Sequence, residues 1–143
     1  MDYSRAIAIS AAGLTAEKTR VEAATLNLAN MSSSIAPGTT GFRPVKAVIH
    51  ARPLPFARLL DDAAGPALLA KAEIVPQSAA AIRSVYEPGH PDADQNGMVA
   101  YPAVDHSAEM LTVMTALRAY EANLAALEVT RTLETKALEI GGQ

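Results

Sequence analysis

All nine prolines of this 143-residue chain fall between Pro37 and Pro102. Proline lacks a backbone N–H and clashes inside a helix, so long helices are confined to the two ends. The first 36 residues hold one glycine, Gly13, and after Pro102 glycine recurs only at positions 141 and 142. The chain therefore divides into an N-terminal helical segment (1–36), a Pro/Gly-rich middle (37–105) and a C-terminal helical segment (106–143). The predicted fold class is mainly α: two long terminal helices pair as a coiled-coil-like bundle around a small middle of short strands and loops.

The N-terminal helix, about 3–32, is predicted to span ~45 Å. Ile7, Leu14, Val21 and Leu28 repeat at intervals of seven, and Tyr3, Ala11 and Ala24 complete a seam that Lys18 interrupts. Met31-Ser32-Ser33-Ser34 and then Pro37-Gly38 end it. The C-terminal helix, about 106–140, spans ~50 Å, with Ser107 as its predicted N-cap. Its seam reads Met110, Val113, Leu117, Tyr120, Leu124 and Leu127, falters at Arg131, and resumes at Leu133, Ala137 and Ile140. Stripes of similar size at both ends suggest that the helices pack together and keep apolar surface for other chains. Asn27, Asn30 and Asn123 lie on these helices. Each reads either as part of a solvated face or as a polar residue that fixes register.

Composition narrows the function. Half of the chain is apolar, yet 30 residues of that are Ala, and there are two Phe and no Trp. Large side chains that build a thick core are scarce, so thin, Ala-spaced helix packing is expected and an enzyme is not. The formal charge of −3 leaves no basic excess for a phosphate backbone, which argues against nucleic acid. Without cysteine there are no disulfides and no thiol chemistry. Residues 6–16 superficially resemble a signal-peptide core. Asp2 offsets Arg5, however, and the seven-residue phase runs unbroken into Glu17-Lys18-Thr19-Arg20, so one continuous helix is expected and no cleaved signal.

In the middle, Val45–His50 and Ile82–Tyr86 read as strands of one hairpin or small sheet. Residues 57–72 read as a broken helix or a mobile loop. Asp92-Ala93-Asp94-Gln95-Asn96-Gly97 matches the first half of a calcium-binding loop. Position twelve is Ala103, and Pro88, Pro91 and Pro102 exclude the flanking helices. A polar turn is the expected reading, with Asn96-Gly97 supplying positive φ. His50, His90 and His106 show no zinc spacing, and no nucleophile elbow or phosphate loop is present. No cofactor and no metal site are expected. Tyr101–Asp105 reads as an extended lead-in, with Asp105 near the helix start where negative charge is favourable.

Two stretches carry a resemblance. Ile9–Ala16, Arg20-Val21 and Asn27-Leu28-Ala29-Asn30 resemble the N-terminal signature of the flagellar axial proteins of rod and hook. Val85–Gly97, with Pro88-Gly89-His90-Pro91-Asp92-Ala93-Asp94 at its centre, then Val99, Tyr101-Pro102, Glu109-Met110 and Arg118–Asn123, resemble the proximal-rod branch of that family. The matches cover about 80 of the 143 residues.

The resemblance implies a structural subunit whose terminal helices form the inner layer of a tube. That tube crosses the periplasm, transmits torque and encloses the export channel. It implies as partners other rod subunits, further copies of the chain, and the flagellar export apparatus in transit, with no small-molecule substrate. The expected assembly residues are Ile7, Leu14, Val21, Asn27, Leu28, Asn30, Glu109, Met110, Val113, Leu117, Tyr120, Asn123, Leu124 and Leu127. The expected loop motif is Pro88, Gly89, His90, Pro91, Asp92, Asp94 and Gly97. The competing readings are a small calcium-responsive module using residues 92–97, a different rod or hook paralogue, and a coiled-coil adaptor without a flagellar role.

Overall fold

The computed structural model describes residues 3–51, 70–77 and 82–141. Its elements run α1 (Tyr3–Asn30), β1 (Val45–Ala51), β2 (Ala70–Pro76), β3 (Ile82–Tyr86), β4 (Met98–Pro102) and α2 (His106–Gly141). Two long helices flank two short antiparallel strand pairs, β1–β2 and β3–β4. Val45–His50 and Ile82–Tyr86 are both strands, but they do not pair with each other. Each takes a partner that the residue pattern concealed. β2 (AKAEIVP) carries Ala, Lys and Glu, and β4 (MVAYP) is short and ends in Pro, so neither shows a clear run of strand-forming residues. Of the stretch 57–72, Ala70 to Ala72 belong to β2; the remainder lies outside the described residues.

The chain forms two compact units, each built from both helices and parts of the middle. The first gathers Met1–Thr19, Val48–Glu73 and Thr115–Gln143. Its buried residues are mostly small: Ala16 and Ala116 are closed off, joined by Leu127. Gly13 marks a close helix approach, because a Cβ there would lie 2.8 Å from Asn123 Oδ1. Asn123 Nδ2 donates back to its own helix at Ala119 C=O, 3.0 Å away.

The second unit gathers Arg20–Ala47 and Ile74–Met114. Ala23, Ala24, Asn27 and Val99 are its buried centre. β3 and β4 pair antiparallel in the register Val85↔Val99 and Arg83↔Tyr101. Glu87 N–H donates to Gly97 C=O (2.9 Å) just beyond the ladder. This fixes the phase: residues 83 and 85 turn their backbone groups toward β4, and residues 98, 100 and 102 turn theirs away from β3. That outer edge of β4 is filled. Asp94 bonds Met98, Ile35 N–H reaches Ala100 C=O at 2.8 Å, and Val104 N–H reaches Pro102 C=O at 3.0 Å. Pro102 fits because its missing N–H would have faced away from the ladder.

The start of α2 corrects one expectation. Ser107 is not the cap. Asp105 Oδ1 accepts from Ser107 N–H (2.9 Å) and Ala108 N–H (3.2 Å), and Glu109 N–H reaches Asp105 C=O (3.0 Å). Asp105 therefore meets the first free amides as an N-cap does, and its charge favours the same helix end.

The buried stripes are also rotated from the expected seams. On α2, Ala116 is 0% exposed whereas Leu117 is 47% exposed. Met110, Tyr120 and Leu124 are exposed too, and of the expected α2 seam only Leu127 is buried. On α1 the buried residues are Ala16, Ala23, Asn27 and, from the expected seam, Ala24, whereas Ile7, Leu14, Val21 and Leu28 are half-buried. At 100° per residue the large seam residues of α1 lie more than about a third of a turn from its buried face, and those of α2 about a sixth of a turn.

Candidate assembly surfaces and the loop motif

The rotation has a physical cause. Helices approach most closely where side chains are small. In each unit the inward positions belong to Ala, with Gly13 against Asn123 in the first unit and Asn27 in the second. The larger apolar side chains are thereby left outside. On α2 the exposed set is Met110, Leu111, Met114, Leu117, Tyr120 and Leu124, and further along Val129, Leu133, Leu138 and Ile140. On α1 it is Ile9 and Leu26. Scattered exposed apolar residues are ordinary, whereas a run along one helix marks an interaction surface.

Asn27 is the polar centre of the second unit, 1% exposed. Its Nδ2 donates to Val45 C=O and to Glu109 Oε1, both at 2.8 Å, and its Oδ1 accepts from Val45 N–H at 2.8 Å. One side chain thus joins the end of α1, the first residue of β1 and the first turns of α2. Asn27 is therefore not part of a solvated face. Glu109 is brought to it directly. Asn30 instead donates Nδ2 to Leu26 C=O within its own helix, at 2.8 Å.

The loop joining β3 to β4 contains the motif residues. Gly97 has φ +73°, and a Cβ there would meet the Tyr86 ring at 3.0 Å, so glycine is required. No residue other than glycine has positive φ among the described residues, so Asn96 does not share in a two-residue hairpin turn. The work falls to Asp94. Its Oδ1 accepts from Asn96 N–H and Met98 N–H, both at 2.8 Å. The Met98 amide, opposed by burial and aided to a lesser degree by Asn96, holds its carboxyl below the usual carboxylate value. Asp92 Oδ2 accepts from Ser34 Oγ at 2.5 Å. One oxygen of each of these two carboxylates is thus engaged within the protein, and among the described residues no three His, Cys, Asp or Glu side chains are grouped to hold a metal ion.

His90 sits inside this loop. Its Nδ1 accepts from Asp92 N–H at 3.1 Å, and its ring meets Tyr101 edge-on with centroids 6.4 Å apart. Tyr101 OH donates to Glu87 Oε2 (3.1 Å), and Arg83 lies over the Tyr101 ring at 5.7 Å. Burial, and then the neighbouring Glu87 carboxylate, push the Tyr101 hydroxyl above its ordinary value. Pro88 and Pro91 are exposed at the loop surface, as is Gly89. Ser34 is the residue that sequence reasoning missed: it appeared only as part of a helix end, and its partner stands 58 positions away.

Paired helices that bury small residues and present large ones define a helical structural protein, with a braced loop beside the helix ends. No family model matches the chain. Curated relatives do. The flagellar basal-body rod protein FlgC of Salmonella typhimurium is 35% identical over 134 residues, covering 93% of both chains. That of Bacillus subtilis is 32% identical over 143 residues, covering 93% of this chain and 94% of the relative. That of Aquifex aeolicus is 30% identical over 139 residues, covering 97% of each. The chain belongs to the FlgC family of flagellar basal-body rod proteins, which are structural proteins. Among the described residues, no helix is long and apolar enough to cross a membrane.

Proposed function

We propose that this chain is a rod subunit that assembles with copies of itself and with other rod subunits through the outward faces of its terminal helices. The resulting tube carries torque and surrounds the export channel. In this reading segments 1–36 and 106–143 act together as the assembly domain, and 37–105 is the middle that braces it. The subunit reaches the periplasm through the flagellar export apparatus without a cleaved signal, and its function calls for neither nucleic acid nor a small-molecule substrate.

The observation that supports this reading is the division of labour on α2. Ala116 is closed off while Met110, Met114, Leu117, Tyr120 and Leu124 stay exposed. A chain that needed these residues for its own core would turn them inward; a subunit keeps them for its neighbours. In this reading Ile7, Leu14, Val21, Leu28 and Val113, half-buried, contribute to the same assembly. Asn27, Glu109 and Asn123 set helix spacing within the subunit, and Asn30 closes α1.

The test is deletion with plasmid rescue, scored for swimming and for basal bodies by negative-stain microscopy. Because Leu117 is exposed in the subunit, Leu117→Asp is expected to leave expression and helix content unchanged, yet to fail to restore rod, hook and swimming. Normal basal bodies built from that variant would overturn the proposal.

A further inference from the structure

His90 occupies a position that a turn alone does not require. Its Nδ1 lone pair takes the Asp92 N–H at 3.1 Å, and the same nitrogen stands 4.0 Å from Asp92 Oδ2. That carboxylate oxygen is the one Ser34 Oγ holds. Ser34 lies in the chain leaving α1, next to Ile35, which closes the edge of β4 at Ala100. One imidazole nitrogen therefore faces both a donor and a carboxylate of the same residue, and which of the two it engages depends on whether it carries a proton.

We infer that His90 is a proton-operated clasp between this loop and the segment that follows α1. Neutral His90 accepts from the Asp92 amide and leaves the Asp92 carboxylate to Ser34. When Nδ1 takes up a proton it can no longer accept, so the Asp92 amide bond is lost. The new N–H donates to Asp92 Oδ2 across the short remaining gap, in competition with the Ser34 hydroxyl. One bond within the loop is exchanged for another, from the Asp92 amide to the Asp92 carboxylate, and the hold of Ser34 Oγ on that shared oxygen is weakened; no covalent step is involved.

The other charged groups nearby do not mimic this exchange. Glu87 is turned to Tyr101 OH, Arg83 lies over the Tyr101 ring, and Asp94 is bound to the Asn96 and Met98 amides. Carboxylates ordinarily titrate below the histidine range, and arginine and tyrosine above it.

The experiment is an NMR titration of the full chain from about pH 8 to about pH 5, the range in which histidine ordinarily changes charge. At the alkaline end the His90 ring nitrogens are expected to report the tautomer with hydrogen on Nε2. The Asp92 and Ser34 backbone amides are expected to shift with the His90 midpoint, with Asp92 amide exchange rising at least about tenfold once chemical pH dependence is removed. In His90→Gln, whose side-chain oxygen still accepts a hydrogen bond but takes no proton, both shifts should vanish while the remaining spectrum is retained. In Ser34→Ala the Asp92 amide should still respond and residues 34–35 should not. A hydrogen on Nδ1 at alkaline pH, an Asp92 amide indifferent to the His90 midpoint, responses that persist in His90→Gln, or a post-helix response that persists in Ser34→Ala would each overturn the clasp.

Discussion

Asn27 satisfies the N–H and C=O of Val45 and an oxygen of Glu109 from a fully buried position. Removing its amide leaves those partners without their donor or acceptor, and a buried polar group left unsatisfied costs about 1–3 kcal/mol. Asn27→Leu keeps the size and loses all three bonds, so it is expected to destabilise the chain by at least about 2 kcal/mol, read as a lower midpoint in urea unfolding. Asn27→Asp should be worse at neutral pH, because it sets a second carboxylate against Glu109 and a carbonyl, and the deficit should narrow under mild acid. Equal stability of all three chains would mean that water, rather than Asn27, satisfies these groups. The residue pattern places Asn27 late in α1 and leaves open whether it belongs to a solvated face or fixes register. Its bonds depend on Val45, eighteen positions on, and Glu109, 82 positions on, brought together only by the fold.

At the scale of elements, proline and glycine placement made the helices legible nearly to the residue, because those residues act on the backbone they occupy. The rotation of the helices was hidden because a heptad reading seeks large apolar residues, whereas this chain also buries Ala16, Ala23 and Ala116. The braced loop was legible as a motif, while Ser34, which ties it to the chain leaving α1, was not. Sheet β3–β4 offers a test of phase. Val85 and Val99 form a hydrogen-bonded pair, whereas Ser84 turns its backbone groups away from β4. Ser84→Pro is thus expected to be nearly neutral, since an outward N–H is dispensable at an edge. Val85→Pro orphans the carbonyl of the buried Val99 and should cost about 1–3 kcal/mol from that loss alone. The two unfolding midpoints decide it: comparable losses would mean that both edges of β3 are in use.

For the whole molecule, the scarcity of large buried side chains has a consequence for how the subunit holds its shape. The buried residues of α2 are Ala116 and Leu127, and from Arg131 to Gly141 every residue except Glu134 is exposed. A helical stretch draws most of its stability from packing, and short lengths without it are marginal in water. Amide exchange in the dilute chain should therefore follow burial: slowest around Ala116–Leu127 and fast from Arg131 onward, although both stretches are helical. In assembled rods, where Leu133, Leu138 and Ile140 would find neighbours, the fast amides are expected to slow by orders of magnitude. The gradient belongs to the free subunit and its loss to assembly, so the pair of measurements separates intrinsic helix strength from packing. Uniform protection along α2 in the dilute chain would show that the last three turns need no neighbour, and the exposed apolar residues there would need another explanation.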